Sequence, residues 1–478
     1  MKRHNIALLV ICGLALGISA CRHGALATTA AAPTPAWKPQ VDALAKGALQ
    51  HQHLASLSLA VARNGLVLYA QAYGYRNLAK RLPATPQTIY NIASMTKQFT
   101  AACVMLLQQD GKLNVDDPIS RFLPGFPNGE RITIRNLLNH TSGLADYLDL
   151  LDANSLSLPK ILAAVEKAPL RFPPGARYEY SNSNYVLAGI IVSKASGMPF
   201  DTFLTKRIIV PLQLRATSIG TTPINMREGA LGYTVVNGRT TLTPPQGVSI
   251  LDYPDGGVNT TALDLVKWDD ALDSGRVVNE KLLKMMMTPG PHGAETTYNY
   301  GFGLGIDSAY GHREIAHQGE WTGYSGENVT FPDDRFVVIL LSNTDGFNEE
   351  FLAREIFAIF EHPSLAEHAI ELTSVPGENP RATRLAQIVL AELTAGRLDS
   401  TKLTPDLNKQ MTPSHVAALQ RMLAGYGRLK RMVFLGRDAH TEGVSEIYRL
   451  FYPSAVVSYW VQLGLNGDVQ DVSFSRED

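Results

Sequence analysis

Cysteine is scarce in this chain, with three residues in 478. Cys12 falls in an apolar leader, Cys21 closes it, and only Cys103 belongs to the body. A disulfide framework is excluded, so stability must come from a buried core, which a chain of this length can supply. Cys103 sits in "TAACVMLL" with no polar neighbour and reads as a small buried hydrophobe, not a nucleophile. Charge of one sign is missing too. The formal net charge is −1, and it becomes −3 on removal of a leader that carries Lys2 and Arg3 but no acid. No basic run of five or more occurs, so nucleic acid is not an expected partner. Beyond the first twenty residues no apolar stretch is long enough to cross a bilayer. Internal repeats are absent. Metal and cofactor signals are absent as well: His312 and His317 lack the His-Glu-x-x-His spacing, and "GFGLG" lacks that of a dinucleotide loop. "GYSGE" approaches a Gly-x-Ser-x-Gly elbow, but Glu327 stands where the last glycine belongs.

What is present is ordinary globular composition, 45% hydrophobic and 18% charged, behind an export-type N-terminus. A basic start precedes an apolar stretch from Ile6 to Gly17 and the tetrapeptide Ile18-Ser19-Ala20-Cys21, which resembles a bacterial lipobox. We expect a signal peptide at 1–20 and lipidation of Cys21, giving a periplasmic, lipid-anchored protein. The alternative is cleavage after Ala25-Leu26-Ala27, giving a soluble periplasmic or secreted one. Residues 21–36 are small and Pro-containing, a tether. A first domain is expected at 37–363, a linker at 364–381 and a small accessory domain at 382–478.

Periodicity gives the fold class. "ASLSLAVARNGLVLYAQAYG" is two apolar-alternating runs around Asn64-Gly65, a hairpin signal. Helical patterns dominate the middle to about Leu283. Strands return in "SGENVTFPDDRFVVILLSN", with a turn at Asp333-Asp334, and a helix follows at 348–361. Strands at both ends with helices between predict one sheet assembled from the two termini, with a helical lobe. The accessory segment predicts helices at 382–394 and 413–424 and then four strand-like runs, an antiparallel meander. The expected class is α+β.

The chemistry begins at "YNIASMTKQFTAACVMLL", where Ser94 and Lys97 precede a long apolar run. Residues i and i+3 share a helix face, so the lysine can reach the hydroxyl. A serine is a poor nucleophile until a base takes its proton, and a desolvated lysine can do that. A helix N-terminus favours an oxyanion there. Ser-x-x-Lys alone is weak, since about two are expected by chance at this length. The second, Ser157 and Lys160, reads as an N-cap with proline in the first helical turn.

Two further signatures follow in order: Tyr180-Ser181-Asn182 in "YEYSNSNYVLAG" and His317-Gln318-Gly319 in "IAHQGEWTGYSG". Tyr75-Arg76-Asn77 also fits Tyr-x-Asn but precedes Ser94, so its order is wrong. Ser-x-x-Lys, Tyr-x-Asn and a basic residue-x-Gly together resemble the penicillin-recognising serine hydrolases. The branch they resemble holds class C β-lactamases, DD-carboxypeptidases, D-aminopeptidases and related esterases. "ITIRNLLNHTSGL", "PPGARYEYSN", "GGVNTTALDLVKW" and "YGFGLGI" agree, and the resemblance spans about Val41 to Glu361. It implies a β-lactamase-like antiparallel sheet flanked by helices, and a covalent acyl-enzyme on Ser94. Lys97 and Tyr180 would share the serine proton, with the Tyr180 pKa lowered by nearby cations, and Asn182 would orient Lys97 and bind substrate. His317 would line the pocket, and the backbone N–H groups of Ser94 and Glu320, just past Gly319, would form the oxyanion hole.

The departures bear on substrate. Many relatives carry Lys-Thr-Gly where this chain has His-Gln-Gly, and histidine's charge is conditional near neutral pH. The acyl donor therefore stays open among a β-lactam, a D-amino-acid peptide and an ester. The rival reading is a non-catalytic sensor that keeps the pocket to hold penicillin or peptidoglycan fragments. Retention of Ser94, Lys97 and Tyr180 favours the enzyme.

Overall fold

In this computed structural model, two apolar hairpins from opposite ends of the first domain meet at the centre of one sheet. The structure describes residues 37–361 and 379–476, apart from 153–155, 221–226, 237–238, 244–252, 292–297, 311, 348, 441–442, 453–454 and 465. The leader, Cys21, the tether and nearly all of the expected linker lie outside the described residues.

β1 (Ser56–Arg63) and β2 (Leu66–Asn77) turn at Asn64 and Gly65, both at positive φ, as the Asn-Gly signal requires. The two residues of β3 (Leu82–Pro83) follow. β4 (Tyr90–Asn91), β5 (Ser218–Ile219) and β8 (Val258–Thr260) form a ribbon, and β6 (Tyr233–Val236) with β7 (Arg239–Leu242) forms an unexpected hairpin in the helical middle. The main sheet is completed by β9 (Asn299–Tyr300), β10 (Gly305–Ala309), β11 (His312–Trp321), β12 (Tyr324–Phe331) and β13 (Phe336–Ser342). Its strand order is β3-β2-β1-β13-β12-β11-β10-β9, so the first and last hairpins are neighbours, with Leu57 opposite Ser342 and Arg63 opposite Phe336. In the β12–β13 turn the left-handed residue is Arg335, one place after the expected Asp333-Asp334.

Both faces of these central strands are buried. Ala60, Ala62, Val337 and Ile339 join one core, and the intervening Leu59, Val61, Val338 and Leu340 join the other. That is why "FVVILL" in β13 is an unbroken apolar string, without polar residues at alternate positions. α1 (Trp37–His51) and the C-terminal helix Glu349–Glu361 cover one face. The other supports the lobe that holds α2 (Thr96–Gln109), α3 (Ile134–Leu138), α4 (Tyr147–Leu150), α5 (Leu158–Lys167), α6 (Asn182–Ser196), α7 (Phe200–Leu204) and α8 (Ala262–Asp273). α2 is buried from Thr96 to Leu107 and packs against α6.

The C-terminal segment is a second α+β unit. Helices Pro380–Thr394, Pro405–Gln410 and Pro413–Gly425 precede β14 (Arg431–His440), β15 (Gly443–Phe451), β16 (Val456–Gly464) and β17 (Val469–Arg476), an antiparallel meander in sequence order. The short helix 405–410 was not legible in the sequence. Tyr448, Leu450, Val457 and Tyr459 face the helices. On the opposite face Arg449 reaches Glu355 of the first domain at 3.0 Å, both side chains being about nine-tenths buried. Tyr310 also donates to Glu355, at 3.2 Å.

Candidate active site

Ser94 is presented by a tight turn between β4 and α2. Asn91 is held in the ribbon opposite Asn259, and its Oδ1 accepts from Ala93 N–H at 2.9 Å. Ala93 then takes a left-handed conformation (φ 44°), which an L-residue adopts at a cost of about 1–2 kcal/mol. Residues 93–95 form a single 3₁₀ turn that runs into α2, with Met95 N–H bonded to Ile92 O. The helix proper therefore begins two residues after Ser94, and the serine is partly exposed at its mouth. Ser94 N–H lies between the capped amide of Ala93 and the bonded amide of Met95.

Lys97 is fully buried, and its ammonium has three acceptors for three N–H donors. They are Ser94 Oγ at 3.0 Å, Asn182 Oδ1 at 2.8 Å and the carbonyl oxygen of Asp255 at 3.0 Å. The amine also lies over the Tyr180 ring, 4.9 Å from its centroid. Burial lowers the Lys97 pKa to about 8, against the opposing pull of Asp255 and Asp146.

Tyr180 precedes α6, and its phenol lies near enough to the Ser94 hydroxyl to be influenced by it. Here the structure corrects the expectation of a lowered tyrosine pKa. Burial pushes the phenol well above its usual value, and the carboxylates of Asp255 and Asp146 push it the same way, outweighing the influence of Ser94. The Lys97 amine, 4.9 Å from the ring centroid, does not offset this. Tyr180 is a neutral phenol.

Asn182, the first residue of α6, is fixed from behind. Its backbone N–H and its Nδ2 both donate to Asp146 Oδ2 at 2.9 Å, which leaves Oδ1 for Lys97. Asp146 Oδ1 caps α4 through Leu148 N–H at 3.0 Å. Asp255 Oδ2 accepts from Tyr147 at 2.8 Å, while its buried Oδ1 has no partner among the described residues, and burial raises this carboxyl.

β11 runs past the last residue paired with β10, Ala316, so from His317 onward one edge borders the Ser94 turn. Gly319 makes that approach possible: a Cβ there would lie 2.1 Å from Ile92 O. The His317 ring does not reach outward as a cation. Its Nδ1 donates to Gln318 O at 2.5 Å, which leaves Nε2 to accept from Tyr300 at 2.7 Å. Burial and the Lys97 charge lower its pKa to about 3. Gln318 is exposed, and the Glu320 carboxylate turns away to accept from Gly346 N–H at 3.1 Å, leaving its backbone at the site.

Ser94, Lys97, Tyr180 and Asn182 thus converge, with the His317–Glu320 edge beside them. Ser157 takes the N-cap position of α5 with Pro159 in the first turn, but makes no side-chain cap bond. Asn77 lies in β2 and accepts from Lys80 N–H, as a turn former does. Sequence reasoning missed Asp146, Asp255, Tyr300 and His140. The His140 ring lies 4.3 Å from that of Tyr180, and its Nδ1 accepts from Ser181 N–H at 3.2 Å. Their nearest signal was position beside the matching segments "HTSGL", "GGVNTT" and "YGFGLGI".

Comparison with known proteins identifies the family. Penicillin-binding protein 4* of Bacillus subtilis is 30% identical over 316 residues, 62% of this chain and 70% of that protein. The D-amino acid amidase from Ochrobactrum anthropi SV3, in complex with L-phenylalanine amide, superposes with a TM-score of 0.58 at 27% identity, over 69% of this chain and 99% of that one. An octameric penicillin-binding protein homologue from Pyrococcus abyssi shares the fold over 91% of this chain and 98% of its own, with a TM-score of 0.63 at 22% identity. The beta-lactamase family model matches residues 41–360. A serine, a buried lysine and a tyrosine meeting on this sheet, with these relatives, place the chain in the beta-lactamase family of serine hydrolases.

Proposed function

We propose that this enzyme cleaves an amide or ester bond through a covalent acyl-enzyme on Ser94, with Lys97 as base. The observation that carries the reading is the set of partners around Lys97 Nζ. When the amine is neutral it keeps two N–H bonds, and two of its neighbours, Asn182 Oδ1 and Asp255 O, can only accept. The lone pair is left facing Ser94 Oγ, ready to take the hydroxyl proton. Ser94 Oγ attacks the acyl carbon, and the backbone N–H groups of Ser94 and Glu320 hold the developing oxyanion. One such donor is worth about a hundred- to a thousandfold in rate. Tyr180, a neutral phenol beside Ser94, gives its proton to the departing nitrogen or oxygen and recovers it from the Lys97 ammonium. Water then repeats the sequence on the ester.

For the substrate, we favour an amide or ester without a carboxylate over a donor anchored by one. Neutral His317, committed to Tyr300 and Gln318 O, offers no cation where Lys-Thr-Gly relatives have one. The amidase named above is a precedent for such a substrate. Export through a signal peptide at 1–20, with a lipid on Cys21, is proposed on the leader pattern alone.

The test compares native protein with Ser94→Ala on p-nitrophenyl butyrate, a D-amino-acid amide and a fluorescent penicillin, following turnover and the mass of trapped adducts. We expect turnover of the two carboxylate-free substrates and an adduct on Ser94, with activity down by several orders of magnitude in the variant. Binding that survives Ser94→Ala without any turnover would establish the sensor instead.

A further inference from the structure

We propose that Asp146 is the positioning residue that aims the Lys97 lone pair at Ser94, acting through the side-chain amide of Asn182. The inference rests on the reading of Ser94 and Lys97 given above.

An asparagine amide is nearly symmetric in shape, and its two ends differ only in whether they donate or accept. Reversed, Asn182 would point Nδ2 at Lys97, donor against donor. The amine would lose one of its two obligatory acceptors, and an N–H in place of the lone pair would turn toward Ser94. Asp146 forbids the reversal, because its Oδ2 receives both Asn182 N–H and Asn182 Nδ2–H and a carboxylate has no proton to give.

Asp146 is itself fixed on three sides. Its Oδ1 caps α4. Tyr147 N–H donates to Ser183 Oγ at 2.9 Å, and Ser183 Oγ donates back to Ala145 O at 2.7 Å, tying the loop to α6 next to Asn182. The Tyr147 phenol holds Asp255, whose carbonyl is the second acceptor of Lys97. Residues 145–147 therefore set both acceptors that commit the lysine N–H bonds.

Asp146 also brings a charge to within one amide of the amine. The titratable groups around Lys97 are Asp146, Asp255, Tyr180, Tyr185, His140 and His317. The tyrosines are raised and the histidines lowered by burial, so all four are neutral. Only the carboxylates oppose the desolvation of Lys97.

The experiment measures p-nitrophenyl butyrate hydrolysis from pH 5.5 to 9.5, and labelling of Ser94 by a fluorophosphonate, in the full chain and in Asp146→Ala and Asp146→Asn. Thermal melts accompany both. Asp146→Ala should lose about a hundredfold or more in kcat/KM with KM changed less than about threefold. An asparagine carbonyl can still accept from Asn182, so Asp146→Asn should recover to within about tenfold of the native rate. Its acid limb should lie about half a pH unit or more lower, because one of the two charges that favour the protonated Lys97 has gone. An unmoved limb in Asp146→Asn overturns the proposal whatever its rate, and so does a native rate in a folded Asp146→Ala. If Asp146→Ala fails to fold, Asp146→Asn alone decides. A native protein that is not labelled at Ser94 overturns the proposed function instead.

Discussion

If Lys97 is the base, the acid limb of the pH–rate profile belongs to it. At a pKa of about 8 the free amine is roughly a tenth of the enzyme at pH 7 and a hundredth at pH 6. Because the deprotonated form is the active one, kcat/KM should rise about tenfold per unit between pH 5.5 and 7.5 and level off above about pH 8.5. Neither the histidines nor the tyrosine beside Lys97 can imitate this limb. His317 titrates near 3, burial holds His140 well below the usual histidine range, and the Tyr180 phenol is raised. The assay is initial-rate hydrolysis of p-nitrophenyl butyrate at subsaturating concentration, corrected for spontaneous hydrolysis at each pH. Lys97→Arg is its companion, since a guanidinium keeps the charge but supplies no lone pair. That variant should lose about a hundred- to ten-thousandfold and show no limb near 8. A native midpoint near 6.5, or a flat profile from pH 6 to 9, would refute Lys97 as the base.

Two further predictions concern buried charge away from Ser94. A narrow crevice between the sheet and α2 and α8 is lined by Gln98, Asp269, Asp273, His317, Asn328 and Thr330, and among the described residues the buried Asp269 Oδ2 and Asn328 Oδ1 have no hydrogen-bond partner. Burial raises the Asp269 carboxyl well above the usual range, so the native state binds the extra proton and stability falls as pH rises above about 4. Asp269→Asn keeps the acceptor for Asn328 Nδ2 (2.9 Å) and adds a donor, so it should raise Tm, by about 1–3 kcal/mol of stability, and more at pH 8 than at pH 5. An equal or reversed pH dependence in calorimetry would refute this. Arg449→Met leaves the buried Glu355 without its cation, held only by Tyr310, and should cost about 3–5 kcal/mol, whereas Arg449→Met with Glu355→Gln should recover most of it. A double-mutant cycle on thermal unfolding with no coupling would refute that pairing.

The parts of this molecule that were legible in the sequence are those whose cause is local. Asn64-Gly65 names its turn, the alternating runs name their strands, and Ser94 and Lys97 lie one turn apart because the chain between them is helical. What stayed hidden depends on elements that meet only in the fold. Asp146 and Asp255 have no spacing relation to Lys97, and β9 and β10 are too short and glycine-flanked to show alternation. The tyrosine is the instructive case, because the residue was recognised and its charge state was not. Burial disfavours whichever protonation state is charged. It therefore moves a cationic acid and a neutral acid in opposite directions: the Lys97 ammonium becomes easier to deprotonate and the Tyr180 phenol harder. Two groups in one dry pocket are separated into a base and a proton donor by the same physical cause. A signature of residue types carries neither the dryness nor the two acids behind it, so it names the participants and leaves their roles to the fold.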